Sequence, residues 1–386
     1  MDTIVNTSRI AIIGAGISGL TTGIILKRAG LDFIIYEADE TIRGIGAGMG
    51  LASNAMKAFE YLELDNKITE ISQPLETFQI CDPKGKALIK IDTERIEKTF
   101  GTGNFSVHRA DLHRILSQEI PSENIKVNKK VTHLDNRENE VKLRFSDDSE
   151  EVFDYVIGAD GVNSKVRQSL NPDSTPRYAG YWCWRGVLKT DEFASYSSRA
   201  YWGHKGRFGI TPLINNQIYW FACINTPLED RIREYSIEDL QKQFKSYPGE
   251  VFKLLASTPE DKVINGPIMD IDPLKQFAYN RVLLIGDAAH ATTPNMGQGA
   301  CMAVEDVAVL WDELKANDLK TAFVNFEKRR LQRTKYIIKN SRRAGKIAQS
   351  SNSFVNYFRN NLFRILPAGI TQMPLQRLYD EDFMKK

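Results

Sequence analysis

The stretch Arg9-Ile10-Ala11-Ile12-Ile13-Gly14-Ala15-Gly16-Ile17-Ser18-Gly19-Leu20 decides the fold. Its first five residues have the apolar composition of a buried strand, and the G-x-G-x-x-G turn leads into Ile17 to Ala29, which has the pattern of a helix. Asp32-Phe33-Ile34-Ile35-Tyr36-Glu37 follows as a second strand ending in an acid, completing a βαβ unit. A glycine turn of this kind lets backbone N–H groups and a helix N-terminus face the phosphates of a dinucleotide. Glu37 stands about 20 residues beyond the glycines, where a carboxylate accepts hydrogen bonds from a ribose. The plainer alternative is that it merely ends the strand.

A second glycine-rich segment lies toward the other end of the chain. Arg281-Val282-Leu283-Leu284-Ile285 reads as a strand running into Gly286-Asp287-Ala288-Ala289-His290, and Gly297-Gln298-Gly299 opens a further helix. A nicotinamide cofactor has no group that needs this second site. FAD does: the hydroxyls of its ribityl chain suit Asp287, and a ring that becomes anionic on reduction suits a helix N-terminus. The two segments together point to FAD. His290 is a candidate base, but its place directly after the loop favours a structural or flavin-neighbouring role.

A chain of 386 residues provides for one large or two modest domains with a full core. Lys+Arg 51 against Asp+Glu 49 leaves a formal charge of +2, so no global field recruits nucleic acid or an anionic membrane. Cys81, Cys183, Cys223 and Cys301 are widely scattered, and the five histidines show no metal-ligand spacing, which suggests a reducing compartment and no metal. Met1 to Ser8 is short and polar, unlike a signal peptide, and no apolar run is long enough to span a bilayer. A soluble, cytoplasmic protein is expected.

Between the two glycine segments, Gly44-Ile45-Gly46-Ala47-Gly48-Met49-Gly50 suits either backbone lying close to a flat ring or an ordinary flexible loop. A helix is expected over Asn54 to Leu62, then two strands, Thr77 to Cys81 and Ala87 to Ile91, around the turn Asp82-Pro83-Lys84-Gly85. Ser106 to Leu112 reads as the start of a helix with Arg109 in its first turn. A cation there opposes the helix dipole, so either an anionic or polyhydroxyl neighbour or a surface ion pair must hold it. Three strands are expected between Lys126 and Ile157, the last running into Gly158-Ala159-Asp160-Gly161, where open α/β sheets bind ligands. Alternating aromatic and polar residues from Gly180 to Asn225 predict a mostly antiparallel sheet, and Ser236 with Asp239 a capping-box helix start. Helices dominate from Gly299. The basic run Lys328, Arg329, Arg330, Arg333, Lys335, Arg342, Arg343 and Lys346 reads as a solvated face. Phe354 to Tyr379, broken by Pro367 and Pro374, reads as core or dimer cover, with a membrane contact using Arg359 and Arg364 at its polar edge as the alternative.

Three motifs, Gly14 to Gly19, the run Gly158-Ala159-Asp160-Gly161-Val162-Asn163-Ser164-Lys165-Val166-Arg167, and Gly286-Asp287 with Pro294 and Gly297-Gln298-Gly299, stand in the order and spacing of the FAD-dependent aromatic hydroxylases. The chain resembles this p-hydroxybenzoate hydroxylase-like group over nearly its whole length, most of all the branch containing urate hydroxylase, salicylate hydroxylase and zeaxanthin epoxidase; tetracycline-inactivating monooxygenases are more distant. The resemblance implies an α/β fold: a Rossmann-like FAD-binding domain (residues 1–75, 101–177 and 277–345), an inserted mostly antiparallel β-sheet substrate domain (76–100 and 178–276) and a helical C-terminal segment (346–386). It implies FAD contacts at Gly14, Gly16, Ser18, Gly19, Glu37, Ala38, Gly48, Gly50, Arg109, Val131, Asp160, Asp287, Pro294, Gly297, Gln298, Gly299, Ala300 and Cys301. Glu37 would bind the adenosine ribose, Arg109 the ribityl-pyrophosphate region and Asp287 the ribityl chain, while Gly297 to Cys301 would line the pyrimidine edge. Asp160 is associated in such enzymes with both FAD and NAD(P)H, which would bind transiently because only one dinucleotide fold is visible.

Arg207 and Tyr219 match in position an arginine and a tyrosine that urate hydroxylases use on substrate, whereas Cys183 stands where that subgroup has asparagine. Strand alternation alone would also place Arg207 and Tyr219 inside without a ligand. The activity implied is hydroxylation of an aromatic, heteroaromatic or polycyclic molecule with NADH or NADPH and O₂, through a flavin C4a-hydroperoxide. Epoxidation or tetracycline-type inactivation is the alternative within the group. Trp182-Cys183-Trp184 begins like a halogenase motif, but the Ile-Pro that should follow is replaced by Arg185-Gly186-Val187. A non-catalytic flavin-binding sensor is the alternative of another class. A monomer or homodimer is expected.

Overall fold

Arg9–Ile13, Tyr155–Gly158 and Val282–Leu284, the strands that lead into the three motifs, lie side by side and parallel. They form the centre of a six-stranded sheet ordered Ala278–Tyr279, Val282–Leu284, Tyr155–Gly158, Arg9–Ile13, Asp32–Tyr36 and Ile125–Lys126. Only the first of these strands runs antiparallel to its neighbour. Parallel strands are covered by helices on both faces and read as continuous apolar runs. Ile10, Ile12, Val156, Ile157 and Val282 to Ile285 are accordingly fully buried. The computed structural model describes residues 8–42, 44, 47–192, 196–228, 230–366 and 378–379. Residues 1–7, Ile45 and Gly46 of the glycine-rich stretch, and Pro367 and Pro374 lie outside the described residues.

A seven-stranded sheet forms the second layer, ordered Ile264–Asp270, Arg177–Lys189, Gln217–Asn225, Gly206–Leu213, Ser197–Gly203, Thr77–Cys81 and Ala87–Asp92. It is antiparallel except where Thr77–Cys81 pairs with Ser197–Gly203. Period-2 alternation gives it two distinct faces. Trp184, Phe208 and Trp220 point to one side, where Leu240, Phe244 and Leu254 of two short helices complete a core. Cys183, Arg185, Arg207, Tyr219, Phe221 and Cys223 share the other, being in register across three neighbouring strands.

Several local expectations change. Four strands, not three, occupy Val131–Asn136, Val141–Phe145, Glu150–Phe153 and Tyr155–Gly158. Asn104–His108 is a strand, so the next helix begins at Arg109, and Gly48–Leu51 pairs with that strand. The basic run is not a solvated face throughout. Lys328, Lys335, Arg343 and Lys346 are exposed, but Arg330 is fully buried between Glu305 at 2.8 Å and Asp306 at 2.7 Å. Arg333 pairs with Glu305, Arg329 with Asp312 and Glu313, and Arg342 with Asp270 and Asp272. The long helix Leu319–Ala348 thus turns Arg329, Arg330 and Arg333 onto the helix Gly299–Leu314 and Arg342 onto the seven-stranded sheet. Arg359 is also buried against the protein. Arg359 donates to the carbonyls of Ile347 and Trp202, and the exposed Arg364 pairs with Asp82, while Phe354, Tyr357, Phe358 and Ile365 of the same helix are exposed. Among the described residues no helix is long and apolar enough to cross a membrane.

Candidate active site

The three motif loops meet at the C-terminal ends of their strands, the position where open α/β sheets take ligands. Gly14 has φ +102°, and a Cβ there would stand 2.5 Å from the carbonyl oxygen of Ala159, so only glycine lets the first loop pass against the second. Gly286 has φ +57°, and a Cβ on it would reach Ser18 Oγ at 2.0 Å; the third loop therefore closes on the first. The first is an approach of backbone to backbone, the second of backbone to the Ser18 side chain.

Carboxylates brace these loops. Glu37 accepts from the backbone N–H of Ala15 at 2.8 Å and of Asp39 at 3.0 Å, tying the glycine turn to the end of its strand. Asp160 accepts from Ser164 Oγ and from the N–H groups of Lys165 at 2.7 Å and Val166 at 3.2 Å, so both its oxygens serve the first turn of helix Lys165–Leu170. Asp306 accepts from the Gly286 N–H at 2.8 Å and from His290 Nε2 at 2.6 Å. His290 is fully buried in that contact, which makes it a brace of the loop rather than a free base. Burial alone would raise Asp306, but His290 and Arg330 hold it below the usual carboxylate range.

Asp287 differs from these. Its residue is exposed, yet the protein crowded around the carboxyl pushes it up, against the opposing charges of His290, Arg109 and Arg167. Arg109 opens the helix Arg109–Gln118, forms no ion pair among the described residues and has Asp287 as its opposite charge and Arg185 as a like one. Together with Ala15, Gly16, Glu37, Asp39 and His113 it lines a cavity of 190 Å³. Both ring nitrogens of His113 are buried and have no hydrogen-bond partner among the described residues. A carboxylate and a guanidinium that form no ion pair among the described residues, beside a glycine cradle, fit a dinucleotide's hydroxyls and phosphates.

The sequence-derived residues separate into groups. Pro294 and Gly297 bracket a short 3₁₀ turn, Gly299 and Ala300 begin helix Gly299–Leu314, and Gly299 Cα lies beside Asp287. Gln298 is buried and accepts from Asn54 at 2.9 Å, while Cys301 donates to the Gly297 carbonyl at 3.4 Å and burial pushes its thiol up to about 12. Ala38 and Gly50 are exposed, and the side chain of Val131 packs into the core of the first layer. Opposite the loops stands the polar face of the seven-stranded sheet. Tyr219 lies with its ring against Gly48 and accepts from Arg185. Arg207 is already engaged, donating to Gln349 at 2.9 Å and lying 5.6 Å over the Tyr181 ring. Cys183 and Cys223 face each other across two strands, sulfur to sulfur 3.5 Å.

The sequence reading missed Arg185 and His113. Arg185 looked like the failed end of a halogenase motif, and the signal that would have found it is its place two residues from Cys183, on the same face as Tyr219.

A family model described as "FAD binding domain" matches residues 7–322. The chain belongs to that family. The flavoprotein is 33% identical over 360 residues to the aurachin C monooxygenase/isomerase of Stigmatella aurantiaca, covering 92% of this chain and 94% of that one. It is 30% identical over 340 residues to the 6-hydroxynicotinate 3-monooxygenase of Pseudomonas fluorescens, covering 84% and 88%. Its fold superposes on the crystal structure of Klebsiella pneumoniae HpxO complexed with FAD and uric acid with a TM-score of 0.91, at 25% identity and 97% coverage of both chains. The protein is an FAD-dependent monooxygenase, an oxidoreductase whose cofactor is FAD.

Proposed function

We propose that this monooxygenase uses NADH or NADPH and O₂ to add one oxygen atom to an electron-rich nitrogen heteroaromatic that carries a ring oxygen. The observation that supports it most is the Arg185–Tyr219 pair: a largely enclosed cation bonded to a phenol, without a carboxylate partner among the described residues, on the sheet face near Arg109. A guanidinium so placed suits a ring carbonyl or its anionic tautomer, and Tyr219 can stack on the ring or hydrogen-bond it. Two similar proteins act on or hold molecules of this class, 6-hydroxynicotinate and uric acid.

FAD, when bound, supplies acceptance of electrons from the nicotinamide donor and activation of oxygen. The chain supplies the rest. The loops at Gly14 and Gly286 would seat the cofactor's backbone, Glu37 the adenosine ribose, and Asp287 the ribityl hydroxyls, with Arg109 against the phosphates. The N-terminus of helix Gly299–Leu314, at Gly297 to Cys301, would set a partial positive charge at the flavin's pyrimidine edge. Gly16, Ser18, Gly19, Gly48 and Pro294 are assigned to the same cradle, and Asp160 acts by holding the second loop in place. Residues 1–75, 101–177 and 277–345 would form the cofactor half and 76–100 with 178–276 the substrate half; the six- and seven-stranded sheets support that division. Arg185 and Tyr219 would orient substrate, Arg207 and Cys183 would stand behind them, and the apposed layers would exclude water.

The test is a panel of hydroxypyridines, oxopurines and quinolones against carbocyclic phenols, following NADH and NADPH oxidation and product mass. A heterocycle that stimulates oxidation and gains one oxygen supports the proposal. Stimulation by the phenols alone refutes the substrate class.

A further inference from the structure

The helix Ser353–Ile365 is amphipathic the wrong way round. A surface helix ordinarily turns its apolar stripe to the core. This one packs Asn356 and Arg359 against the protein, where Asn356 donates to the carbonyl of Ser350 and Arg359 to those of Ile347 and Trp202, with Phe363 beside the Trp202 ring. Phe354, Val355, Tyr357, Phe358, Leu362 and Ile365 face outward, Phe354 being 76% and Ile365 78% exposed. At roughly 100° per residue these six span an arc of about 160°, one continuous apolar face. Contiguous exposed apolar surface of this kind marks an interaction site.

What covers that face is decided by its rim. The contacts that seat the helix lead to three neighbouring segments. Ile347, itself exposed, follows Lys346; Trp202 comes just before the turn at His204 and Lys205; and Asp82, which pairs with Arg364, opens the turn holding Lys84 and Lys86. Lys84, Lys86, Lys205 and Lys346 are exposed and form no ion pair among the described residues. The carboxylate that stands among them, Asp82, is engaged by Arg364. A second copy of the chain, meeting this patch across a two-fold axis, would set like charge against like charge. Six apolar side chains also fall short of the about 20–30 residues a side that stable protein interfaces use. An apolar face ringed by cations instead matches an anionic lipid surface, into which such side chains sink by about 5–10 Å while lysines meet the headgroups. We propose that the helix Ser353–Ile365 lies on an anionic lipid surface, apolar face down, with Lys84, Lys86, Lys205 and Lys346 against the phosphates. None of these residues is assigned to FAD or substrate, so the docking is independent of the reaction.

The test is co-sedimentation of the purified holoenzyme with vesicles of phosphatidylcholine alone and of phosphatidylcholine mixed with phosphatidylglycerol, at low and high salt. Wild type should partition onto the anionic vesicles at least roughly tenfold more strongly than onto the neutral ones, and lose that preference in high salt. The variant F354S/F358S/I365S should bind the anionic vesicles at least about tenfold more weakly. Its flavin content and melting temperature should stay at the wild-type values, because all three side chains are exposed. K84E/K86E, on an exposed turn, should also bind at least about tenfold more weakly, and it carries the test if the first variant does not fold. Wild type that stays in the supernatant, or that sediments equally with both kinds of vesicle, overturns the proposal. Wild-type binding by either variant does the same. So does an oligomer of the free holoenzyme, seen by light scattering, that F354S/F358S/I365S breaks into single chains: the face is then a contact between copies.

Discussion

Arg185 and Arg207 show why the chemistry of a side chain is settled by what surrounds it. Both are arginines on one face of one sheet, yet Arg207 is spent on Gln349 and the Tyr181 ring, whereas Arg185 has no carboxylate partner among the described residues, only the nearby Cys183 and Cys223 thiols, the Tyr219 phenol and the like-charged Arg109. Arg185→Ala should therefore raise the substrate KM roughly ten- to a hundredfold, the loss of a charge-assisted hydrogen bond of about 1.5–3 kcal/mol, with flavin content unchanged. Steady-state kinetics beside the ratio of flavin to protein absorbance checks both halves of that statement. Arg207→Ala should act first on stability, lowering the melting temperature while raising KM less than the Arg185 change does. At Gly14 the constraint is backbone: Gly14→Ala adds a Cβ 2.5 Å from a carbonyl oxygen at φ +102°. We expect that variant to be purified with most of its flavin missing, as read from the visible spectrum.

At the scale of elements, the helices Gly299–Leu314 and Leu319–Ala348 hold the third loop from behind. Glu305 is held down to about 2: its burial would raise it, but Arg333 and Arg330 more than compensate. Since that value lies below the carboxylate's unfolded one, the contribution to stability is complete above roughly pH 5 and lost as pH falls toward 2. Glu305→Gln should accordingly be less stable than wild type at pH 7, with the gap closing as the pH is lowered through that window in denaturant titrations. Arg330→Ala leaves Glu305 and Asp306 buried without their shared cation, and should cost about 3–5 kcal/mol by calorimetry. This network also marks where sequence legibility ends. The βαβ unit, the strands after the glycine loop and the capping box at Ser236 follow from local periodicity and turn chemistry, and they stand where those signals put them. The inward turn of Arg330 depends on acids that lie a whole helix earlier in the chain, which no local pattern reports. The strand Asn104–His108 is misread for a related reason: its edge partners Gly48–Leu51 and Ser72–Leu75 are distant in sequence and decide its conformation.

For the molecule as a whole, two layers face each other: a mostly parallel sheet that presents glycine loops with Asp287 and Arg109 at its strand ends, and a mostly antiparallel sheet that presents Arg185 and Tyr219. The cofactor and the substrate would each take contacts from both, so binding should couple to global stability. Saturation at 1,000 times the dissociation constant adds about 4 kcal/mol, and FAD should raise the melting temperature of the apoprotein by several degrees. The convergence of three loops on one dinucleotide is the central claim, and Asp287 is its most exposed member, a carboxylate with no ion pair among the described residues. The decisive measurement is an equilibrium titration of wild-type and Asp287→Ala apoprotein with FAD, followed by flavin fluorescence. The account predicts one FAD per wild-type chain and at least tenfold weaker binding by the variant. A wild-type protein that stays colourless in FAD, or a variant that binds it equally well, would contradict it.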